Sequence, residues 1–178
     1  MNVPYVPGSQ TLSIGLLIAR IVVGLLIAAH GSQKLFGWFG GHGLQATGEL
    51  FGQLGFQPGG LFATAAATGE FVSGLLIAFG FLGPIGPAIM LAVMVVAAMS
   101  VHWPNGLFAT NNGIELPLLY STAAIGLALT GYGRYSLDSL FGFTPLWTPT
   151  IIWIALVLGV VGGVLNLLLR ARPGSPAG

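Results

Sequence analysis

Long apolar runs, broken by short clusters of Gly, Pro and Asn, dominate the chain. Five runs read as membrane spans: about 11–36, 61–81, 85–101, 114–130 and 148–169. A bilayer core is roughly 30 Å thick and takes about 20 apolar helical residues to cross. The last run carries no charge from Thr150 to Leu169 and is the clearest. The fourth is the weakest, being short, with Glu115 and Pro117 in its first turn. Proline is tolerated there because first-turn N–H groups have no helical partner to lose. Phe81-Leu82-Gly83-Pro84 reads as a tight turn, which predicts that spans two and three are antiparallel neighbours. In the Gly-rich stretch 37–60, Leu44, Thr47, Phe51 and Leu54 recur at helical spacing and predict a short helix on the membrane surface. The segment HWPNGLFATNNG (102–113) is dense in turn formers, and 132–149 reads as an aromatic, Pro-containing linker with Arg134 and Asp138. The expected organisation is an N-terminal segment (1–10), a four-helix core (11–140), a linker with a fifth span (141–170) and a disordered tail (171–178).

Composition fixes the class. Charged residues are 5% of the 178, against roughly a quarter in soluble domains, and the apolar set is 54%. Mean hydropathy is +0.90. A soluble fold of this size cannot hide so much apolar surface, so lipid is the first expected partner and the fold class is an all-α transmembrane bundle. The net charge of +1 gives no footprint for nucleic acid. The absence of cysteine excludes disulfides, thiol catalysis, cysteine-ligated iron–sulfur clusters and covalently attached haem. The first apolar run is too long for a signal-peptide core and has no basic residue before it, so it reads as a retained span. Five spans put Lys34, Arg170 and Arg172 on one side and Arg134 on the other, which predicts a cytoplasmic C-terminus. Gly159 and Gly163 are spaced for close helix approach, either inside the bundle or across a dimer face.

Polar residues at membrane depth cost several kcal/mol unless paired, and each is a functional candidate. They are few: Arg20, His30, Lys34, Glu70, His102 and Glu115. At ~1.5 Å per residue from the cytoplasmic ends, His30 lies roughly 9 Å deep, Glu70 roughly 14 Å and Arg20 roughly 24 Å. Glu70 is thus expected near His30. Starting span two at Pro58 makes Arg20 the competing partner. His30 and Lys34 share one helix face, and His102 and Glu115 end on the same side. The expectation is one polar cluster of His30, Lys34, Glu70, His102 and Glu115, rimmed by Trp38, Trp103, Asn105, Asn111 and Asn112, between spans one to four. Such a cluster can move protons, which quinone chemistry needs alongside electrons. Plainer readings exist for each residue. Lys34 can be a snorkelling anchor, a His30–Glu70 or Arg20–Glu70 pair can be structural, Trp38 and Trp103 can be belt residues, and His42 reads as a solvated loop residue. A bis-histidine haem sits poorly at bundle ends. No HExxH or ExxH spacing supports a metal.

The runs LIARIVVGLLIAAHGSQKLFGWFGG, GEFVSGLLIAFG, HWPNGLFATNNGIELPLLY and GYGRYSLD resemble the DoxX family of bacterial membrane proteins, over about 12–140. The resemblance implies a four-helix core in the inner membrane, with the fifth span as an extension. It implies shared positions at Arg20, His30, Gly31, Lys34, Glu70, Gly74, His102, Asn105 and Gly106. It also implies a link to quinone: some members resemble the small membrane subunit of a thiosulfate:quinone oxidoreductase, and others are tied to hydroquinone or oxidative-stress resistance. The first functional expectation is therefore a quinone- or quinol-interacting subunit of a redox system. His30, Glu70 and Lys34 would act catalytically, and His102, Trp103, Asn105, Arg20 and Glu115 would help hold the quinone. Partner subunits or a homo-oligomer would complete it. The rival is a non-catalytic accessory subunit with the fifth span as docking helix. A small-solute transporter is the third reading, without the broken-helix pair or inverted repeat such proteins show.

Overall fold

The computed structural model describes residues 8–171, which form helices and short turns with no strand among them. The helices are α1 (Ser9–Phe36), α2 (Gly43–Gln53), α3 (Gly59–Phe79), α4 (Ile85–Ala97), α5 (Glu115–Thr130), α6 (Leu137–Leu140) and α7 (Pro149–Leu168). A π-turn, Ala98–His102, extends α4. Four of these helices (α1, α3, α4 with its extension, and α7) are long and apolar enough to cross a membrane. The fifth apolar helix, α5, has 16 residues and so spans only ~24 Å. It nevertheless carries the chain from the end of α4 back to the α3–α4 turn, where Tyr132 donates to the Gly83 carbonyl at 2.8 Å. The backbone before α5 is irregular but bonded: Ile114 and Glu115 donate to Gly106 and Leu107 carbonyls, and the Glu115 carboxylate accepts from Ala109 N–H at 2.7 Å.

The bundle is held by small residues where helices cross. A Cβ placed on Gly24 of α1 would lie 2.5 Å from the Gly74 carbonyl of α3, and one on Gly31 would lie 2.5 Å from Phe71 N. Only glycine lets these backbones meet, so α1 and α3 form the closest pair. Gly159 and Gly163 do the same for α7: added carbons would strike the Ala88 and Ala92 carbonyls of α4. Their face is therefore buried inside this chain rather than left free for a second copy. Apolar cores fill the rest, with Ile27, Ile77, Met90, Met94, Ala124, Leu127 and Tyr132 in one and Leu91, Ala128 and Leu156 in another. Large apolar side chains such as Ile18, Leu25, Ile154 and Leu158 face outward, as lipid requires.

The two ends of the bundle are closed differently. At one end α2 lies across the helix ends, as its amphipathic spacing predicts. Phe56 is fully buried between Phe51 and Phe62, at ring distances of 5.5 and 5.3 Å. The end of α7 is tied to this corner. Arg170 donates to the Leu54 carbonyl and its guanidinium sits 6.0 Å above the Phe56 ring, while Ala171 N–H bonds the Gly55 carbonyl at 2.9 Å. Lys34 and Arg170 thus share one face, and Arg134 lies on the other, in agreement with the five-span reading. Arg172 and most of the expected disordered tail lie outside the described residues.

At the opposite end Asp138 is buried and ties the α3–α4 turn. Its carboxylate accepts from Leu82 N–H (2.8 Å), Gly83 N–H (2.7 Å) and the Trp147 indole (2.8 Å), and its own N–H bonds the Gly80 carbonyl. Arg20 approaches the same corner and donates to the Ala78 and Tyr135 carbonyls. Burial, then the Asp138 charge, holds the Tyr132 hydroxyl well above its ordinary value, with Arg20 opposing. Arg20 is therefore a staple of this end. The Arg20–Glu70 pair weighed from sequence does not form, because Arg20 finds carbonyls at its own depth.

Candidate functional site

Under α2 lies a cavity of about 650 Å³, walled by the end of α1, by α2, by the first half of α3, by α4 with its π-turn, and by α7. Its walls are mostly apolar, from residues such as Leu50, Phe51, Phe62, Val93, Val96 and Gly163. The polar residues that line it are Gln33, Lys34, His42, Thr47, Glu70, Ser100, His102 and Asn166. An apolar chamber with a few polar groups is the usual form of a small-molecule site.

Glu70 is its most unusual member, 2% exposed in the middle of an apolar helix. One carboxylate oxygen is paired with the Lys34 ammonium. The other, Oε2, is buried without a partner. A carboxylate in such surroundings remains charged only beside a compensating cation. Lys34 supplies it from the helix end, its four-carbon stem reaching inward while its side chain stays 34% exposed. The depth estimate placed Glu70 correctly: it lies one helical turn after Ala67 and directly before Phe71, the residues against which Gly31 packs. The partner expected at that depth was His30. The ring of His30 instead turns to Tyr120 of α5, edge to face at 6.0 Å, and lies outside the cavity lining.

His102 ends the π-turn, and its Nδ1 lies 2.8 Å from the Asn112 carbonyl. A carbonyl only accepts, so Nδ1 carries the hydrogen and a neutral ring leaves Nε2 as an acceptor. Asn105 braces the same loop through the Val101 and Asn112 carbonyls.

The structure thus brings together Lys34, Glu70 and His102 of the residues singled out in the sequence. Arg20 stands at the other membrane face. Glu115 caps the loop before α5, and Trp103, like Trp38, is largely exposed at the bundle end. Neither Glu115, Trp103 nor Asn105 lines the cavity. The expected position of the chamber, between spans one to four, is corrected in one respect. Span four does not line it and span five does, through Gly162, Gly163 and Asn166. Sequence reasoning missed Ser100, Asn166 and Gln33, and set His42 aside as a loop residue. Asn166 was the findable one, the single amide in the last apolar run. No group of three or more His, Asp or Glu close enough to hold a metal occurs among the described residues.

The sequence profile of the DoxX family matches residues 15–103, half of the chain. The matched stretch runs from α1 to the end of the π-turn and holds Arg20, His30, Lys34, Glu70 and His102. It stops short of Glu115, Asp138 and α7. No curated protein and no solved structure matches the chain. With its apolar helices and this match, the chain is a multi-pass integral membrane protein that belongs to the DoxX family.

Proposed function

We propose that this protein binds quinone or quinol in the cavity beneath α2, as the membrane subunit of an inner-membrane redox system. The observation that carries the reading is the buried Glu70 carboxylate, with one oxygen on Lys34 and the other unpartnered in an apolar chamber at the bundle end. A quinol has the matching chemistry: a flat apolar ring, an apolar tail at home in lipid, and a hydroxyl that donates to a carboxylate. Lys34 pairs with one Glu70 oxygen and leaves the other, Oε2, placed to accept that hydrogen bond and then the proton. Lys34, a third exposed, and His102 offer routes by which the proton leaves. Quinol oxidation releases two electrons, which go to a partner subunit, and two protons, which Glu70 accepts and passes on one after the other. In this reading His30 acts behind the site by holding Tyr120, and His42 stands in the cavity wall in the loop before α2.

The test is titration of the detergent-purified protein with a short-tailed quinol, read by intrinsic fluorescence. Wild type should bind, Glu70→Gln should bind at least tenfold more weakly, and Glu115→Gln should match wild type. Absence of binding to wild type, or Glu70→Gln binding as wild type does, would sink the proposal. The accessory-subunit reading relied on α7 as a docking helix. Its small-residue face is occupied by α4, and the outward residues Val157, Leu158, Val161 and Leu165 suit lipid.

A further inference from the structure

Six Ser and Thr side chains are buried among the described residues: Ser13, Ser32, Thr47, Ser73, Ser100 and Ser136. Five of them return their hydroxyl to a backbone carbonyl three or four residues earlier. That local bond is the ordinary way a helix disposes of a hydroxyl away from water. Ser100 is the exception. It is 7% exposed, and its Oγ has no partner. The cause is local geometry: Ser100 sits in the π-turn, where the Trp103 N–H bonds the Ala98 carbonyl five residues back. Such wide turns in membrane and soluble helices occur disproportionately at functional sites.

Three side-chain atoms are buried and unpartnered among the described residues: Arg20 Nε, Glu70 Oε2 and Ser100 Oγ. Arg20 lies at the far end of the bundle and already donates to two carbonyls. The other two residues, from α3 and the π-turn after α4, line one cavity. A buried polar group without a partner costs free energy, and two of them on one chamber point to a molecule that satisfies both.

We infer that Ser100 is a second ligand contact, and that the cavity selects a ring bearing oxygens at two ends rather than one. This rests on the quinol reading and narrows it: Glu70 accepts from one ring hydroxyl, and the Ser100 hydroxyl bonds the oxygen across the ring. The π-turn frees Ser100 from its own backbone for that purpose.

Two probes separate the inference from the reading beneath it: a short-tailed para-quinol, and the same ring with one hydroxyl removed. Ser100→Ala should weaken the quinol roughly three- to tenfold, the worth of one neutral hydrogen bond, and leave the mono-hydroxyl ring unchanged. Glu70→Gln should weaken both. Ser100→Thr, which restores a hydroxyl, should recover at least part of the quinol affinity and shows that the site still folds. Equal quinol binding by wild type and Ser100→Ala overturns the inference and leaves the quinol reading standing. Equal losses for both probes assign Ser100 to packing and also overturn it. Failure of the para-quinol to bind wild type removes the quinol reading and the inference together.

Discussion

Lys34 and Glu70 form an asymmetric pair, one a third exposed and the other almost wholly buried. Removing the lysine strands a carboxylate in an apolar helix, while removing both charges leaves little to compensate. Lys34→Met should therefore lower stability by roughly 3 kcal/mol. The double variant Lys34→Met/Glu70→Gln should recover most of that loss. Thermal unfolding in one detergent, followed by circular dichroism, measures both. At the other end Tyr132 makes a pH prediction. A tyrosine in the unfolded chain ionises near pH 10, but burial and Asp138 keep Tyr132 protonated above that. The folded state then holds the extra proton, so stability falls as pH rises past about 10. Tyr132→Phe should flatten that alkaline fall. It should also start about 1 kcal/mol lower at neutral pH, having lost the bond to Gly83. Unfolding midpoints between pH 7 and 11.5 check both halves.

Among the elements, α7 carries the clearest consequence. It rests on α4 through Gly159 and Gly163, where an added carbon meets backbone that cannot turn aside. Gly159→Val should detach α7, lower the unfolding midpoint and open the cavity wall. Gly162→Val, whose added carbon meets nothing within 4 Å, should not alter the midpoint. The pair of variants is its own control. The spans, the surface helix and the depth of Glu70 were legible in the sequence because rise along a helix is a one-dimensional quantity. Rotation about the helix axis was not. His30 and Lys34 are one turn apart on the same face, and only the positions of α3 and α5 decide which meets Glu70 and which meets Tyr120. Ser100 was hidden for another reason, since nothing in AVMVVAAMSVH announces a π-turn. Asp138 read as a linker charge because its three donors are two backbone groups and a tryptophan, none visible as a motif.

For the whole molecule, crossing by α5 as well as by the four longer helices would put the start of α1 and the end of α7 on opposite faces. Cysteines introduced singly at Ser9 and Ala171 of this cysteine-free chain should label with an impermeant reagent from opposite sides of sealed vesicles. Labelling of both from one side would reduce the passes to four and remove α5 from the membrane. If basic residues govern orientation, Ala171 is the cytoplasmic one.

The bond from Arg170 to the α2–α3 corner has a consequence for how the protein is made. Helices enter the bilayer in chain order, and α7 is the last of those described. Until it arrives, the chamber that Glu70 lines lacks the wall that Gly162, Gly163 and Asn166 supply. Once α7 docks, Arg170 and Ala171 fasten it to Leu54 and Gly55. The chamber is thus closed in a single late step, and on the quinol reading a chain interrupted before α7 should insert but fail to bind quinol.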